Sequence, residues 1–96
     1  MLDKLQAICN KYEELSAKSE QPDFYADPQK AAKLLREKND LEPIVEAFHA
    51  YNQAQQDMAD AQELMADPEM KALCQETYAA AKAQKEALAE KLQILL

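Results

Sequence analysis

Apolar residues recur three and four positions apart along most of this chain, a spacing that predicts amphipathic helices. The pattern is most regular in the middle of the sequence, where large and small side chains alternate at Ile44, Ala47, Tyr51, Ala54, Met58, Ala61 and Met65. This alternation is typical of a coiled-coil-like seam, in which bulky side chains enter the spaces left by alanines. Phe48 and Leu64 widen the stripe enough to cover a second neighbouring helix.

The flanking segments carry apolar stripes of their own. The first comprises Leu2, Leu5, Ile8, Cys9, Tyr12 and Leu15; the next comprises Ala31, Leu34, Leu35 and Leu41; the last comprises Met70, Cys74, Tyr78, Ala81, Leu88, Leu92 and Leu95, with Lys85 as a polar interruption. Each stripe predicts one helix face that packs against a neighbour.

Two Asp-Pro pairs mark helix starts. An aspartate accepts hydrogen bonds from the free N–H groups of a first turn, and a proline at the first helical position needs no N–H there. Asp27-Pro28 and Asp67-Pro68 therefore predict helix starts at Pro28 and Pro68. Together with the apolar stripes, they predict helices at about 2–19, 28–65 and 68–95. The link before Pro68 is so short that the last two helices must run antiparallel. The loop before Asp27 carries Phe24 and Tyr25, which we expect to plug the end of a bundle.

Pro43 complicates the second helix, because a proline inside a helix removes one backbone hydrogen bond and crowds the preceding turn. One interpretation is a new helix capped by Asp40, with Pro43 in its first turn. The other is a single helix bent near Asn39. We favour the bent, continuous helix, because no glycine or cluster of turn residues separates the two halves.

These elements predict an all-α fold in one domain of residues 1–96. The expected architecture is an elongated three-helix bundle, an antiparallel helical hairpin with a shorter N-terminal helix packed along it. The last five residues, from Leu92 to Leu96, are strongly apolar. We therefore expect the chain to be a fragment of a longer polypeptide.

Composition agrees with helices, since the chain has no glycine and no tryptophan. No apolar run approaches the ~20 residues that span a bilayer, and the start lacks the features of a secretory signal. We expect a soluble, cytoplasmic chain with no membrane partner.

The formal net charge is −7, which disfavours direct binding to nucleic acid. The charge is also uneven, because residues 39–70 contain no lysine or arginine. This acidic stretch includes Glu42, Glu46, Asp57, Asp60, Glu63, Asp67 and Glu69. It is interpreted either as a solvated helix face or as an interaction surface for a basic partner, such as a ribosomal protein.

Reactive side chains are sparse. Cys9 and Cys74 stand alone and are expected to be small buried apolar residues. His49 lies near Glu46 on the long helix, a pair common on helix surfaces, and no second histidine or cysteine stands at zinc-ligand spacing. We predict no catalytic residue, no metal and no cofactor, and hence no enzyme activity in these residues.

Several short motifs, in order and with matching gaps, suggest a family. They are Leu2-Asp3-Lys4-Leu5, Lys11-Tyr12-Glu13-Glu14-Leu15, Asp27-Pro28 with Lys33-Leu34, Leu41 to Phe48, Leu64 to Met70, and Leu92 to Leu96. Together they resemble the N-terminal helical domain of bacterial peptide chain release factor 1, a class I release factor. Release factor 2 is a close relative and stays open as an alternative.

The resemblance implies a translation termination factor that recognises UAA and UAG stop codons and promotes peptidyl-tRNA hydrolysis on the ribosome. The family's Pro-x-Thr codon-reading motif and Gly-Gly-Gln hydrolysis motif are both absent from this chain. The resemblance thus implies a docking domain whose partners are the stalk base of the large ribosomal subunit and a termination GTPase.

Two other functions remain open at this stage. One is an independent coiled-coil adaptor or oligomerisation module. The other is an enzyme with a metal site formed by His49 and the carboxylates.

Overall fold

The computed structural model describes residues 2–96, and over that range the chain forms three α-helices and no strand. They are α1 (Leu2–Ser19), α2 (Pro28–Leu64) and α3 (Lys71–Leu95). A 3₁₀ turn at Phe24–Ala26 precedes α2. The predicted all-α fold is confirmed.

The first of two compact units ends at Glu46 and contains α1 and the N-terminal half of α2. Lys11 lies 4.0 Å from the Glu37 carboxylate, and the ammonium of Lys38 lies 5.6 Å from the centroid of the Tyr12 ring. In each pair, the residue on α1 and the residue on α2 are about equally far along the chain from the loop that connects the helices. The two helices therefore run antiparallel. The buried residues of this unit are Leu5, Cys9, Leu15, Ala31 and Val45.

Asp27 caps the start of α2, as the Asp-Pro pair predicts. Its Oδ1 accepts a hydrogen bond from the N–H of Lys30 at 3.2 Å, and its backbone carbonyl accepts one from Ala31 at 2.9 Å. Pro28 occupies the first helical position, where no partner for an N–H is required.

Pro43 lies inside α2, which is continuous from Pro28 to Leu64. The interpretation in which Asp40 caps a separate helix is therefore wrong. The bend near Asn39 stays a prediction, as does the assignment of the chain to a single domain.

The second compact unit runs from Ala47 to Leu96 and contains the rest of α2 together with α3. The predicted seam is present, because Ala47, Ala54 and Ala61 are all buried and Ala54 is only 1% exposed. Cys74, Ala81 and Leu92 are buried on α3. Tyr51 contacts Lys85, and the two residues stand at matching distances from the intervening turn, so this pair of helices is also antiparallel.

The third helix begins later than predicted. Residues 65–70 form two turns separated by a bend at Asp67, and α3 starts at Lys71 rather than at Pro68. The reason is local: the N–H of Met70 donates to the carbonyl of Asp67 at 3.0 Å, three residues back, so the chain tightens there instead of entering an α-helix.

Three apolar residues are more exposed than their patterns suggest. Leu64 is 50% exposed, because at about 100° per residue it lies on the opposite flank of the seam from the buried Phe48. Leu2, in the first turn of α1, is also exposed. Tyr25 is 64% exposed and does not plug a bundle end; its ring instead meets that of the half-buried Phe24 edge-on, with centroids 4.8 Å apart.

Candidate interaction surface

The seven acidic residues singled out in the sequence lie on α2 and on the turn that follows it. Glu42 and Glu46 belong to the first compact unit, where Glu42 is partly buried and Glu46 is exposed. The other five belong to the second unit: Asp57, Asp60 and Glu63 on α2, and Asp67 and Glu69 in the turn. All of these five except Asp57 are exposed.

The five singled-out carboxylates of the second unit have no cationic partner in the described residues. No ion pair to any of them occurs within residues 2–96. Asp57 accepts a hydrogen bond from Gln53 at 2.9 Å, and Asp60 accepts one from Gln56 at 2.8 Å. Because neutral amides satisfy these oxygens without cancelling the charge, this end of the unit presents a negative surface.

Asp67 has a structural role in the turn. Its Oδ1 accepts a hydrogen bond from the N–H of Glu69 at 3.0 Å, which forms an Asx turn around Pro68. Asp67 therefore holds the turn that displays Glu69, whereas Asp60, Glu63 and Glu69 have no comparable bond to the backbone over the described range.

The sequence analysis missed an apolar component of this region. Leu73, in the first turn of α3, is 57% exposed, and Leu64, at the end of α2, is half exposed. Both flank the turn that carries Asp67 and Glu69. The available signal was that Leu73 falls outside the stripe formed by Met70, Cys74 and Tyr78. Leu64 and Leu73 therefore add exposed apolar side chains on either side of the acidic turn.

The side chains with reactive groups are two cysteines and one histidine. Cys9 and Cys74 are both free and buried, as predicted, and they belong to different compact units. Burial, followed by the nearby charge of Glu13, raises the pKa of the Cys9 thiol above its ordinary value. His49 is exposed on α2. Among residues 2–96, no group of three or more His, Cys, Asp or Glu side chains is placed to hold a metal ion.

None of the helices between Leu2 and Leu96 is both long enough and apolar enough to span a membrane.

Over residues 2–96 the fold is all-helical, and its surface includes unpaired carboxylates and exposed apolar side chains. Comparison with known proteins is more specific. The PCRF domain family matches residues 8–96, and the chain belongs to that family.

Two curated relatives extend this result over the whole chain. The chain is 37% identical to peptide chain release factor 1 of Agathobacter rectalis and 38% identical to peptide chain release factor 1 of Caldicellulosiruptor bescii. Each alignment covers 100% of this chain and 28% of the relative. The resemblance to release factor 1 is confirmed for a region that spans 28% of those proteins. No solved structure matches this chain.

Proposed function

We propose that this chain is the N-terminal helical domain of a translation termination factor, and that it serves as a docking module in the cytoplasm. The observation that carries the proposal is the family match over residues 8–96, together with the identity to two release factors along the full chain. The whole factor would recognise UAA and UAG and promote peptidyl-tRNA hydrolysis. Codon reading and hydrolysis would be carried by other parts of a longer protein.

The negative end of the second compact unit supports the docking role. We define the docking surface as Asp57, Asp60, Glu63, Asp67 and Glu69 with the exposed Leu64 and Leu73 beside them. Its acidic side chains have no ion-pair partner within the described residues, and its leucines supply apolar contact area. This chemistry suits a basic ribosomal protein, such as one at the stalk base of the large subunit. A termination GTPase is a further candidate partner. The acidic residues of the first unit, Glu42 and Glu46, are candidates for contacts of their own.

The experiment uses the complete factor that carries this domain. Peptide release is measured on ribosomes programmed with UAA, UAG or UGA. We expect release on the first two codons. Release on UGA but not on UAG would instead assign the chain to the alternative, release factor 2, and absence of release on all three would reject a termination factor.

Matched variants then test the docking surface. D60N/E63Q/E69Q removes three exposed charges there and leaves Asp67 to hold the turn. E76Q/E86Q/E90Q removes three exposed charges from α3 that are not part of the docking surface. Charges at the rim of an interface act mainly on association rate and salt dependence. We expect the first variant to slow association with ribosomes by about ten-fold at low salt and by less at high salt. An equal effect of both variants would contradict a localised surface.

A second candidate function is a coiled-coil adaptor or oligomerisation module. Its motive is the pair of exposed apolar residues on α3, Leu73 at 57% and Ile94 at 79%, which an oligomer of this kind would cover. Light scattering separates the two functions, because an obligate dimer of this chain favours the adaptor and a monomer favours the docking domain.

A further inference from the structure

The first three turns of α2 carry a basic surface that the docking proposal does not use. Residues 28–38 contain four basic residues and one acidic residue, Glu37, although the chain as a whole is acidic. Lys30, Lys33 and Arg36 are spaced three residues apart, so at about 100° per residue they lie within one broad face of the helix. All three are exposed. We call these three residues the basic stripe.

The stripe differs from three other cations of the same compact unit, which already have partners. Lys11 pairs with Glu37, Lys18 pairs with Glu14 at 3.2 Å, and Lys38 lies over the Tyr12 ring. Within residues 2–96, no carboxylate forms an ion pair with a residue of the stripe. Its three charges are therefore available to an external anion.

A cleft of about 480 Å³ lies at the N-terminal end of the stripe, and Lys30 is one of its lining residues. The other lining residues include Lys18, Phe24 and Leu34, which place a cation, an aromatic ring and an aliphatic side chain in one hollow. Two carboxylates also line the cleft: Asp27, which caps α2, and Asp23, which makes no capping bond. Lys30 is thus the lining cation without an ion-pair partner in residues 2–96, and the Phe24 ring in the same cleft offers a flat apolar group on which a base can stack.

We infer that the basic stripe and the adjoining cleft bind the phosphate backbone of an RNA strand. From Lys30 to Arg36 the helix rises about 9 Å, at about 1.5 Å per residue, so three long cationic side chains lie within reach of neighbouring phosphates on one strand. The net charge of −7 had disfavoured nucleic acid, yet salt screens charges beyond a Debye length of about 8–10 Å, so the local charge governs contact. This inference does not depend on the termination function.

The test measures binding of the 96-residue chain to a labelled RNA of about 20 nucleotides as salt is varied. Three single-strand phosphate contacts give a slope of log K against log salt of about −2, or about a 20-fold loss between 50 and 200 mM. K30Q/K33Q/R36Q should weaken binding at about 50 mM salt at least about ten-fold and bring the slope close to zero. D23N, which removes the carboxylate from the cleft, should tighten binding.

The matched control is K71Q/K82Q/K91Q, which removes three exposed lysines from α3. It changes the net charge equally and should leave the slope unchanged. Circular dichroism verifies that both triple variants keep the parent helicity. Equal losses in the two variants would show that only net charge matters and would overturn the inference. So would absence of binding at low salt, or displacement of RNA by poly-glutamate as effectively as by unlabelled RNA, which would indicate a surface for acidic proteins.

Discussion

The ammonium of Lys85 lies 5.6 Å from the centroid of the Tyr51 ring, within cation–π distance. In the sequence, Lys85 interrupts an otherwise apolar stripe on α3, and Tyr51 is one of the bulky seam residues on α2. Lys85 is half-buried, so its aliphatic stem packs in the seam while its charge meets the ring face. The polar interruption is therefore a contact between two helices.

This pair makes the first prediction. Lys85→Gln should lower the free energy of unfolding by about 0.5–1 kcal/mol, because the ring loses its cation. Lys82→Gln, one turn away and exposed, should change it by less than about 0.5 kcal/mol. Urea unfolding followed by circular dichroism compares the two. Equal values for both variants would mean that the Tyr51 contact adds nothing to stability.

Ala54 gives the second prediction, because it is the most deeply buried alanine of the seam. Ala54→Leu should cost about 1–3 kcal/mol by overpacking. For a domain of this size, that lowers the melting temperature by at least about 4 °C. Ala59→Leu adds the same side chain at an exposed position of α2 and should melt within a few degrees of the parent. If Ala54→Leu melts with the parent, the seam is misplaced on the helix.

The cap at the start of α2 gives the third prediction. Asp27→Ala removes the acceptor for the N–H of Lys30 and should destabilise the chain by about 0.5–2 kcal/mol. Asp23→Ala is the control. Asp23 precedes the 3₁₀ turn, but its carboxylate accepts no capping hydrogen bond from that turn. Thermal unfolding at neutral pH measures both. A larger loss for Asp23→Ala than for Asp27→Ala would contradict the assigned cap.

The buried Cys9 thiol gives the fourth prediction. Burial first, and the charge of Glu13 second, raise its pKa in the folded state above the ordinary value of 9.0. The unfolded chain then loses this proton at lower pH than the folded chain does. The contribution of the protonated Cys9 thiol to the free energy of unfolding is complete below about pH 9. This contribution is lost as the pH rises through the higher pKa of the folded state.

We therefore expect the parent to lose more unfolding free energy between about pH 8 and pH 10.5 than Cys9→Ala does. Comparing the two proteins cancels the titration of tyrosines and lysines, which both share. Urea melts across this range provide the measurement. Parallel pH profiles for parent and variant would mean that the thiol titrates alike in both states.

Much of this molecule was predictable because its determinants are local. The cap at Asp27 depends on backbone groups three and four residues away, so the pair Asp27-Pro28 was sufficient to locate the start of α2. The seam at Ala47, Ala54 and Ala61 follows from helical periodicity. The acidic character of residues 39–70 needs no structure at all.

The tertiary structure decided what periodicity leaves open, namely which flank of each stripe another helix covers. Phe48 and Leu64 are equivalent as apolar neighbours of the seam, yet packing buries one and leaves the other half exposed. Likewise, only the approach of α3 to α2 gives Lys85 a partner in Tyr51. The helices and their caps are set by interactions within one or two turns, whereas burial and the exposed surfaces are set by residues distant in sequence.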